Sequence, residues 1–335
     1  MMQGVVGTLV LFAACGAVVV ATGIRLSRYG DIIADKTGLG GMWVGVALMS
    51  AVTSLPELVA GLSAVTIVNA PEIAVGDVVG SCMFNLAILA MLDFGQPERL
   101  SARVHQGHIL VAGFGLVQLG LAALTVLAGS QIPALGWVGW PSVAFLGTYL
   151  LAMRMMFTAE RQRSAVVNEV AAERRGSEMS LRRATLLYAA NAALLVGAAL
   201  FLPALSERLA AQTGMTESFV GSLFLAAATS MPEVVVSVTA ARIGAVDMAV
   251  GNLLGSNIFN IAILSIDDIA YREGPLLASV SSSHLITLTA AMLMTAISII
   301  GLTYRVQRRR SRLSWESVAK LVVYAAGITL LWRLS

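Results

Sequence analysis

Residues 53–57 of this chain, Thr-Ser-Leu-Pro-Glu, have a near copy at 229–233, Thr-Ser-Met-Pro-Glu. A second motif follows each copy, GSCMFN at 80–85 and GSNIFN at 255–260. Equivalent positions are 175 or 176 residues apart, so the register between the copies is preserved. Two long copies indicate a fused duplication, because a solenoid needs at least about three short repeats.

The composition indicates that the solvent of this chain is lipid. Hydrophobic residues make up 57% of the 335 residues and charged residues only 12%, and the mean hydropathy is +0.82. A soluble domain carries about 25% charged residues. The sequence pI near 9.1 does not indicate nucleic acid, because the basic residues cluster between apolar spans and not on one face.

The pattern of apolar segments predicts an all-α polytopic membrane protein with ten transmembrane helices, arranged as two inverted five-helix repeats. Small residues are frequent in these segments, as close helix packing in lipid requires. The predicted spans are 4–24, 42–67, 72–94, 106–129, 134–157, 184–205, 217–241, 247–268, 284–304 and 315–332.

Basic residues in the connections predict the orientation. With ten spans and both termini outside, all lysines and arginines fall on the cytoplasmic side except Arg208, Arg272 and Arg333. This distribution obeys the positive-inside rule strongly. We therefore expect an integral membrane protein with both termini outside, and the short linker at 158–183 favours a bacterial inner membrane. The expected partners are the lipid bilayer and, from the motifs described below, inorganic cations, with no nucleic acid. The oligomeric state is open.

One long polar interruption divides the chain. Segment 158–183 is expected to be a cytoplasmic linker between a first half, 1–157, and a second half, 184–335. Because each half has an odd number of spans, five, the second half enters the membrane from the opposite side and its topology is inverted. The repeated segments are then an α-1 repeat at about 42–94 and an α-2 repeat at about 217–268, and such inverted repeats place binding sites near the midplane.

The glutamates of the repeated motif carry the functional prediction. Glu57 and Glu233 lie well inside their spans, where an ionised carboxylate costs a few kcal/mol. Among the residues of those spans, the only basic one is Arg242 at an end. Two such costs at equivalent places predict a cation that both carboxylates share.

A proline precedes each glutamate. Pro56 has no N–H for the carbonyl of Val52, and Pro232 has none for that of Ala228. We therefore expect a kink at each proline that frees carbonyl oxygens one turn before the acid. Irregular backbone at membrane depth is tolerated where it lines a cavity inside the protein.

Helical spacing brings more oxygen atoms to the same place, because residues three or four apart share a helix face. An all-oxygen set without histidine or thiolate suits Ca²⁺, Na⁺ or Mg²⁺ and argues against zinc or copper. The candidate ligands are Glu57, Glu233, Thr53, Thr229, Ser54, Ser230, Ser81, Ser256, Asn85 and Asn260.

The paired TSLPE and GSxxxN motifs resemble the α-repeats of the sodium/calcium exchanger family, within the Ca²⁺/cation antiporter superfamily. The resemblance covers the whole membrane domain. It implies exchange of several Na⁺ for one Ca²⁺ by alternating access, with the first and sixth helices sliding across the others. It also implies roles: central Ca²⁺ ligands at Glu57 and Glu233 helped by Thr53 and Thr229, Na⁺ ligands at Ser54, Ser81, Ser230 and Ser256, and remaining polar positions at Asn85 and Asn260.

Two departures from the family pattern bear on ion selectivity. Many prokaryotic relatives carry an aspartate where this chain has Asn260, so the site loses a titratable group and a K⁺-dependent mode is disfavoured. The glycine usual before the Thr-Ser pair is Val52 in the first copy and Ala228 in the second. The selectivity of the site is therefore open.

Other functions remain as alternatives. The closest is a cation/H⁺ antiporter on the same fold, and a cation channel is less favoured because channels arrange ligands in rings around a pore. No nucleophile–base pair or cofactor motif indicates an enzyme or a bound cofactor.

Other polar residues near the motifs have less certain roles. Asp77 and Asn252 occupy equivalent places, where they extend the ion path or serve in packing. Asp93 and Asp268 are expected at helix ends. His105, His108 and His284 are expected to be solvated.

Overall fold

The computed structural model describes residues 2–94, 100–168, 179–202, 204–205, 208, 227–304 and 314–334, and these are helical almost throughout. The helices are α1 Met2–Thr37, α2 Gly40–Trp43, α3 Ser50–Thr53, α4 Leu55–Ser63, α5 Pro71–Phe94, α6 Leu100–Arg103, α7 Gly107–Ala128, α8 Trp140–Asn168, α9 Leu181–Ala199, α10 Met231–Arg242, α11 Val246–Ala270, α12 His284–Thr303 and α13 Trp315–Leu334.

Short irregular elements join some of these helices. Two π-helical turns, Val44–Met49 and Ala64–Val68, connect α2, α3 and α4 into one segment. A two-stranded antiparallel hairpin, β1 Ala134–Leu135 and β2 Val138–Gly139, precedes α8. Short 3₁₀ turns lie at Gly129–Gln131 and Leu276–Ala278.

Most of the predicted membrane spans are present as helices. In the described part of the chain, seven helical segments are long and apolar enough to cross a bilayer: Val5–Thr37, Gly40–Val68, Pro71–Phe94, Gly107–Gln131, Trp140–Gln162, Val246–Ala270 and His284–Thr303. Helices α9 and α13 coincide with two more predicted spans. The seventh span, predicted at 217–241, is described only from residue 227, so its first part lies outside the described residues, and the count of ten stays a prediction.

Helix α8 continues through Asn168, inside the segment predicted as a linker. Residues 169–178 of that segment lie outside the described residues. The divisions at 157 and 184 therefore stay predictions.

Hydrogen bonds between connections identify two faces of the helix bundle. At one face, which we call the Asn69 face, Asn69 Nδ2 donates to Glu273 Oε1 over 2.7 Å, and Ser281 N donates to Glu72 Oε1 over 2.6 Å. At the opposite face, His105 N donates to Asp247 Oδ1 over 2.7 Å. Because α5 begins at the first face and α11 begins at the second, the two equivalent helices run antiparallel, as inverted repeats require.

Helices α5 and α11 form the centre of the bundle, and both are buried on nearly all sides. The second motif of each copy lies on one of these two helices and therefore faces protein and not lipid. The segment Gly40–Val68 approaches α11 backbone to backbone through glycines. A Cβ built at Gly255 would lie 2.6 Å from Val46 O, and one at Gly251 would lie 2.8 Å from Met42 O. These glycines let the polar motifs of the two halves meet.

Helix α1 lies outside this centre, against α9 and α10. A small apolar cluster of Val19, Ala199, Leu202 and Ala228 fills part of that contact. Ala228, which precedes the second Thr-Ser pair, thus packs among apolar side chains. The contact is mainly apolar, with one buried hydrogen bond from Ser27 Oγ of α1 to Val236 O of α10.

Two aspartates secure the ends of the central helices, as their positions predict. Asp93 of α5 accepts from Leu100 N over 2.8 Å and from Ser317 Oγ over 3.1 Å. Its equivalent Asp268, near the end of α11, accepts from Gly139 N over 2.8 Å and from Leu276 N over 2.6 Å. Each carboxylate therefore fixes the connection that follows its helix.

Candidate ion-binding site

Each copy of the repeated motif contains a break in its helix. The backbone leaves helical geometry at Ser54, with φ −91° and ψ 9°, and at the equivalent Ser230, with φ −83° and ψ 6°. Helices α4 and α10 restart at the next residue, and Pro56 and Pro232 lie in their first turns, where a missing N–H costs nothing. The prediction of a kink at the prolines is corrected in its position: each helix is interrupted at the serine, two residues before the proline.

The two buried glutamates bond to serines of the opposite repeat. Glu57 and Glu233 are both 0% exposed. The Ser54 hydroxyl donates to Glu233 Oε1 over 3.0 Å, and the Ser230 hydroxyl donates to Glu57 Oε1 over 3.1 Å. The two broken helices therefore cross with each acid placed against the break of the other copy.

Serines of the second motif complete the set of oxygens around each acid. Ser81 Oγ of α5 lies 3.4 Å from Glu57 Oε1, and Ser256 Oγ of α11 lies 3.4 Å from Glu233 Oε1. Ser230 Oγ also lies 2.9 Å from Ser81 Oγ. The geometry thus has the same pseudo-twofold symmetry as the sequence.

The threonines contact a pair of residues whose role the sequence left open. Thr229 donates to Asp77 Oδ1 over 3.1 Å, and Thr53 donates to Asn252 Oδ1 over 3.3 Å. Thr53 Oγ1 is also 3.4 Å from Ser256 Oγ. Asp77 and Asn252 therefore belong to the polar centre, which spacing within one helix could not reveal.

The asparagines of the second motif lie beside the same centre, but their surroundings differ. Asn85 Nδ2 donates to Asn257 Oδ1 over 3.1 Å. Repeat symmetry would pair Asn260 with residue 82, which is a cysteine. Both amide atoms of Asn260 are buried without a hydrogen bond of standard geometry, although the amide lies beside the Cys82 thiol, and Asn85 Oδ1 is likewise unpartnered. Asn260 thus keeps its carbonyl oxygen available for another ligand.

All ten predicted ligand residues are buried, and the structure brings the two repeats together around the glutamates. Glu57 Oε2 and Glu233 Oε2 are buried without a hydrogen-bond partner, and the ion pairs of the described residues provide no lysine or arginine for either acid. Each acid lies at the helix break of the other repeat, so the two carboxylates belong to one site. Burying such a pair is unfavourable unless a cation or bound protons neutralise the two charges.

The donor set determines which cation would fit. Within the described residues no group of three or more His, Cys, Asp or Glu side chains is arranged as a metal site, so two carboxylates must be supplemented by neutral oxygens. Hydroxyls and amide carbonyls beside two carboxylates are the ligands of Ca²⁺ and Na⁺. Nitrogen or sulfur donors, which zinc and copper prefer, are not in this set.

Two of the histidines are not solvated, contrary to expectation. His108 is 0% exposed and its Nε2 lies 3.0 Å from Asp247 Oδ1, while His284 Nε2 lies 2.7 Å from Glu72 Oε2. These four residues are equivalent between the repeats, so a His–carboxylate pair lies at each face. The acid and the histidine come from opposite halves, and the pairs therefore tie the halves together outside the central site.

Comparisons with known proteins agree with this architecture. The chain matches the family described as "Sodium/calcium exchanger protein" over residues 7–158 and 183–333. It is 28% identical over 261 residues to the inner membrane protein YrbG of Escherichia coli, covering 73% of this chain and 74% of that protein. It is 36% identical over 142 residues to the sodium/calcium exchanger MaX1 of Methanosarcina acetivorans, covering 42% of this chain and 38% of the other.

The fold also matches a solved structure. A structure of the sodium-calcium exchanger NCX_Mj aligns with a TM-score of 0.74 at 20% identity, over 98% of this chain and 99% of that one. The family match covers both halves and omits most of the polar segment between them. This chain therefore belongs to the sodium/calcium exchanger protein family and is a polytopic membrane antiporter, not a channel.

Proposed function

We propose that this protein exchanges Na⁺ for Ca²⁺ by alternating access, with Glu57 and Glu233 as the central ligands of one shared site. The reciprocal hydrogen bonds Ser54–Glu233 and Ser230–Glu57 carry this proposal, because they place both acids at the junction of the two repeats. The exchange reaction is also the function named for the relative MaX1 and the structural neighbour NCX_Mj.

Each group of polar residues has a distinct part in this proposal. Thr53 and Thr229 complete the Ca²⁺ site, and the four serines, one pair at the helix breaks and one pair on α5 and α11, provide Na⁺ sites around it. Asn85 on α5 and Asn260 on α11 supply further amide oxygens. The unpartnered atoms Glu57 Oε2, Glu233 Oε2 and Asn260 Oδ1 support these roles, since each is buried and free to accept a cation.

The two carboxylates also couple the two ion fluxes. With no cation bound, both charges would be buried in a low-dielectric site without a counter-charge. This penalty opposes reorientation of an unloaded site. The protein then changes its access only with Ca²⁺ or Na⁺ bound, and each ion moves in exchange for the other.

We further propose that both termini and the Asn69 face lie outside, and that segment 158–183 is cytoplasmic. The positive-inside distribution supports this orientation. The E. coli relative is described as an inner membrane protein, which supports a bacterial inner membrane as the location.

Proteoliposomes loaded with Na⁺ test the function directly. An outward Na⁺ gradient should drive uptake of radioactive Ca²⁺, and Glu57→Gln or Glu233→Gln should each abolish it. Glu273→Gln removes an exposed acid and is the matched control, which should transport normally. Near-normal uptake by either central variant would refute the site, and uptake driven by a pH gradient without Na⁺ would indicate H⁺ exchange instead.

A further inference from the structure

A further buried acid, Asp267, is not among the ten predicted ligands. Asp267, near the end of α11, is 0% exposed, and both of its carboxylate oxygens are buried without a hydrogen-bond partner. The neighbouring Asp268 shows the contrast, because it accepts bonds from Gly139 N, Ser142 Oγ and Leu276 N. A structural role in holding the chain thus accounts for Asp268 but not for Asp267.

The Asp267 carboxylate lies against the helix that carries Glu57. A Cβ built at Gly61 would lie 2.9 Å from Asp267 Oδ1 and closer still to Oδ2. Gly61 is one helical turn after Glu57 on α4, towards the Asn69 face. A larger residue at this position would displace the carboxylate, and Asp267 therefore lies against α4 one turn from Glu57, on the side of the Asn69 face.

Asp77 links Asp267 to the centre. Ser81 on α5 contacts Glu57 on α4 over 3.4 Å, so one turn further towards the Asn69 face Asp77 lies at the level of Gly61, against which Asp267 packs. Asp77 Oδ1 accepts from Thr229, whereas Asp77 Oδ2 is buried without a partner. Asp77 precedes Ser81 by one turn on α5, also towards the Asn69 face. The two acids therefore present three unpartnered oxygens one turn beyond Glu57 and Ser81.

The other half of the molecule has no such acids at the equivalent positions. Repeat symmetry places Asn252 opposite Asp77, Ser237 opposite Gly61 and Leu92 opposite Asp267. Asn252 Nδ2 donates to Ser237 Oγ over 3.0 Å, so these neutral groups satisfy each other. The central site is symmetric, but its surroundings carry a pair of acids towards one face only.

We propose that Asp77 and Asp267 form a second cation site, which holds a Ca²⁺ ion between the Asn69 face and the central site. This inference rests on the proposed function for the identity of the ion. Two carboxylates suit a divalent cation because one ion neutralises both charges, and their unpartnered oxygens are hard donors of the kind Ca²⁺ takes. The site makes capture of Ca²⁺ stronger from the Asn69 face than from the opposite face.

A binding measurement tests the site without requiring exchange. The double variant Glu57→Gln, Glu233→Gln lacks the central carboxylates, so Ca²⁺ titrated alone into the purified protein should bind at one residual site. Adding Asp267→Asn should remove that residual binding, whereas adding Glu273→Gln should not. Monodispersity on size exclusion confirms that each variant is folded. A double variant that binds no Ca²⁺, or residual binding that survives Asp267→Asn, would overturn the proposal.

A transport measurement on the otherwise unaltered protein tests the direction. In right-side-out and inside-out membrane vesicles, Asp267→Asn should raise the apparent KM for Ca²⁺ about 10-fold at the Asn69 face and leave it unchanged at the other face. Equal changes at both faces, or none, would contradict a site on one route. Absence of Na⁺-driven uptake in the unaltered protein would count against the proposed function, and the binding measurement would still decide the second site.

Discussion

Ser54 and Glu233 are 179 residues apart in the chain, yet the hydroxyl of one donates a 3.0 Å hydrogen bond to the carboxylate of the other. The equivalent bond from Ser230 to Glu57 spans 173 residues in the reverse sense. Each glutamate accepts a hydrogen bond from the serine at the helix break of the other half, so neither half alone provides this bond. The candidate site therefore exists only where the two repeats are docked.

This reciprocity predicts equal effects at the two serines. Ser54→Ala and Ser230→Ala each remove a hydrogen bond to a buried carboxylate. Such a bond is worth about 1.5 kcal/mol, which corresponds to a roughly tenfold higher apparent KM for Ca²⁺. The two variants should agree within about threefold in Ca²⁺ uptake by proteoliposomes, since both bonds have the same geometry. Ser63→Ala, elsewhere on α4, is the control. A tenfold effect at one serine and none at the other would contradict the symmetric site.

Close backbone contact predicts a stability effect at Gly255. In Gly255→Ala the new Cβ would lie 2.6 Å from Val46 O and 2.7 Å from Val46 Cα, so the span Gly40–Val68 must move away from α11. We expect a loss of about 1–3 kcal/mol, seen as a lower melting temperature in detergent. Gly113→Ala is the matched control because a Cβ there meets nothing within 4 Å. Equal melting temperatures for the two variants would show that the helices separate without cost.

The unpartnered amide of Asn260 predicts that Cys82→Asn is stabilising. An asparagine at 82 would give Asn260 the counterpart of the hydrogen bond between Asn85 and Asn257, which joins the two halves. The gain should be about 1 kcal/mol in cation-free detergent, measured as a higher melting temperature. Cys82→Ser, which also removes the thiol but supplies no amide, separates this effect from mere loss of the thiol. A lower melting temperature for Cys82→Asn would show that Asn260 is satisfied in another way.

Much of this architecture could be predicted from the sequence, because it depends on two local features: the length of each apolar segment and the presence of an acid inside one. A segment of sufficient length predicts a span, and a carboxylate inside a span requires a compensating charge wherever the span packs. Glu57 and Glu233 can therefore be predicted without knowledge of tertiary contacts. The repeat then placed them at matched depth in two inverted halves.

The partners of these residues could not be predicted, because they depend on how helices cross. Spacing within a helix associates Ser54 with Glu57, whereas the structure associates it with Glu233. The same limit applies to Asp77 and Thr229, which lie on different spans. In the sequence Asp267 looks like a helix-end residue, as Asp268 does, because both lie near the end of an apolar span. The structure distinguishes Asp267 by its buried, unpartnered oxygens and its contact with Gly61.

The hydroxyl of Ser27 on α1 has two hydrogen-bond acceptors, one on its own helix and one on α10. Its hydroxyl lies 3.0 Å from Val236 O on α10 and also 3.0 Å from Gly23 O on its own helix. If α1 slides along α10 during exchange, as the resemblance to the family implies, the Ser27 hydroxyl keeps the acceptor on its own helix. The contact can therefore open and close without ever exposing an unsatisfied buried group, and such a reversible latch adds little to the barrier between the two access states.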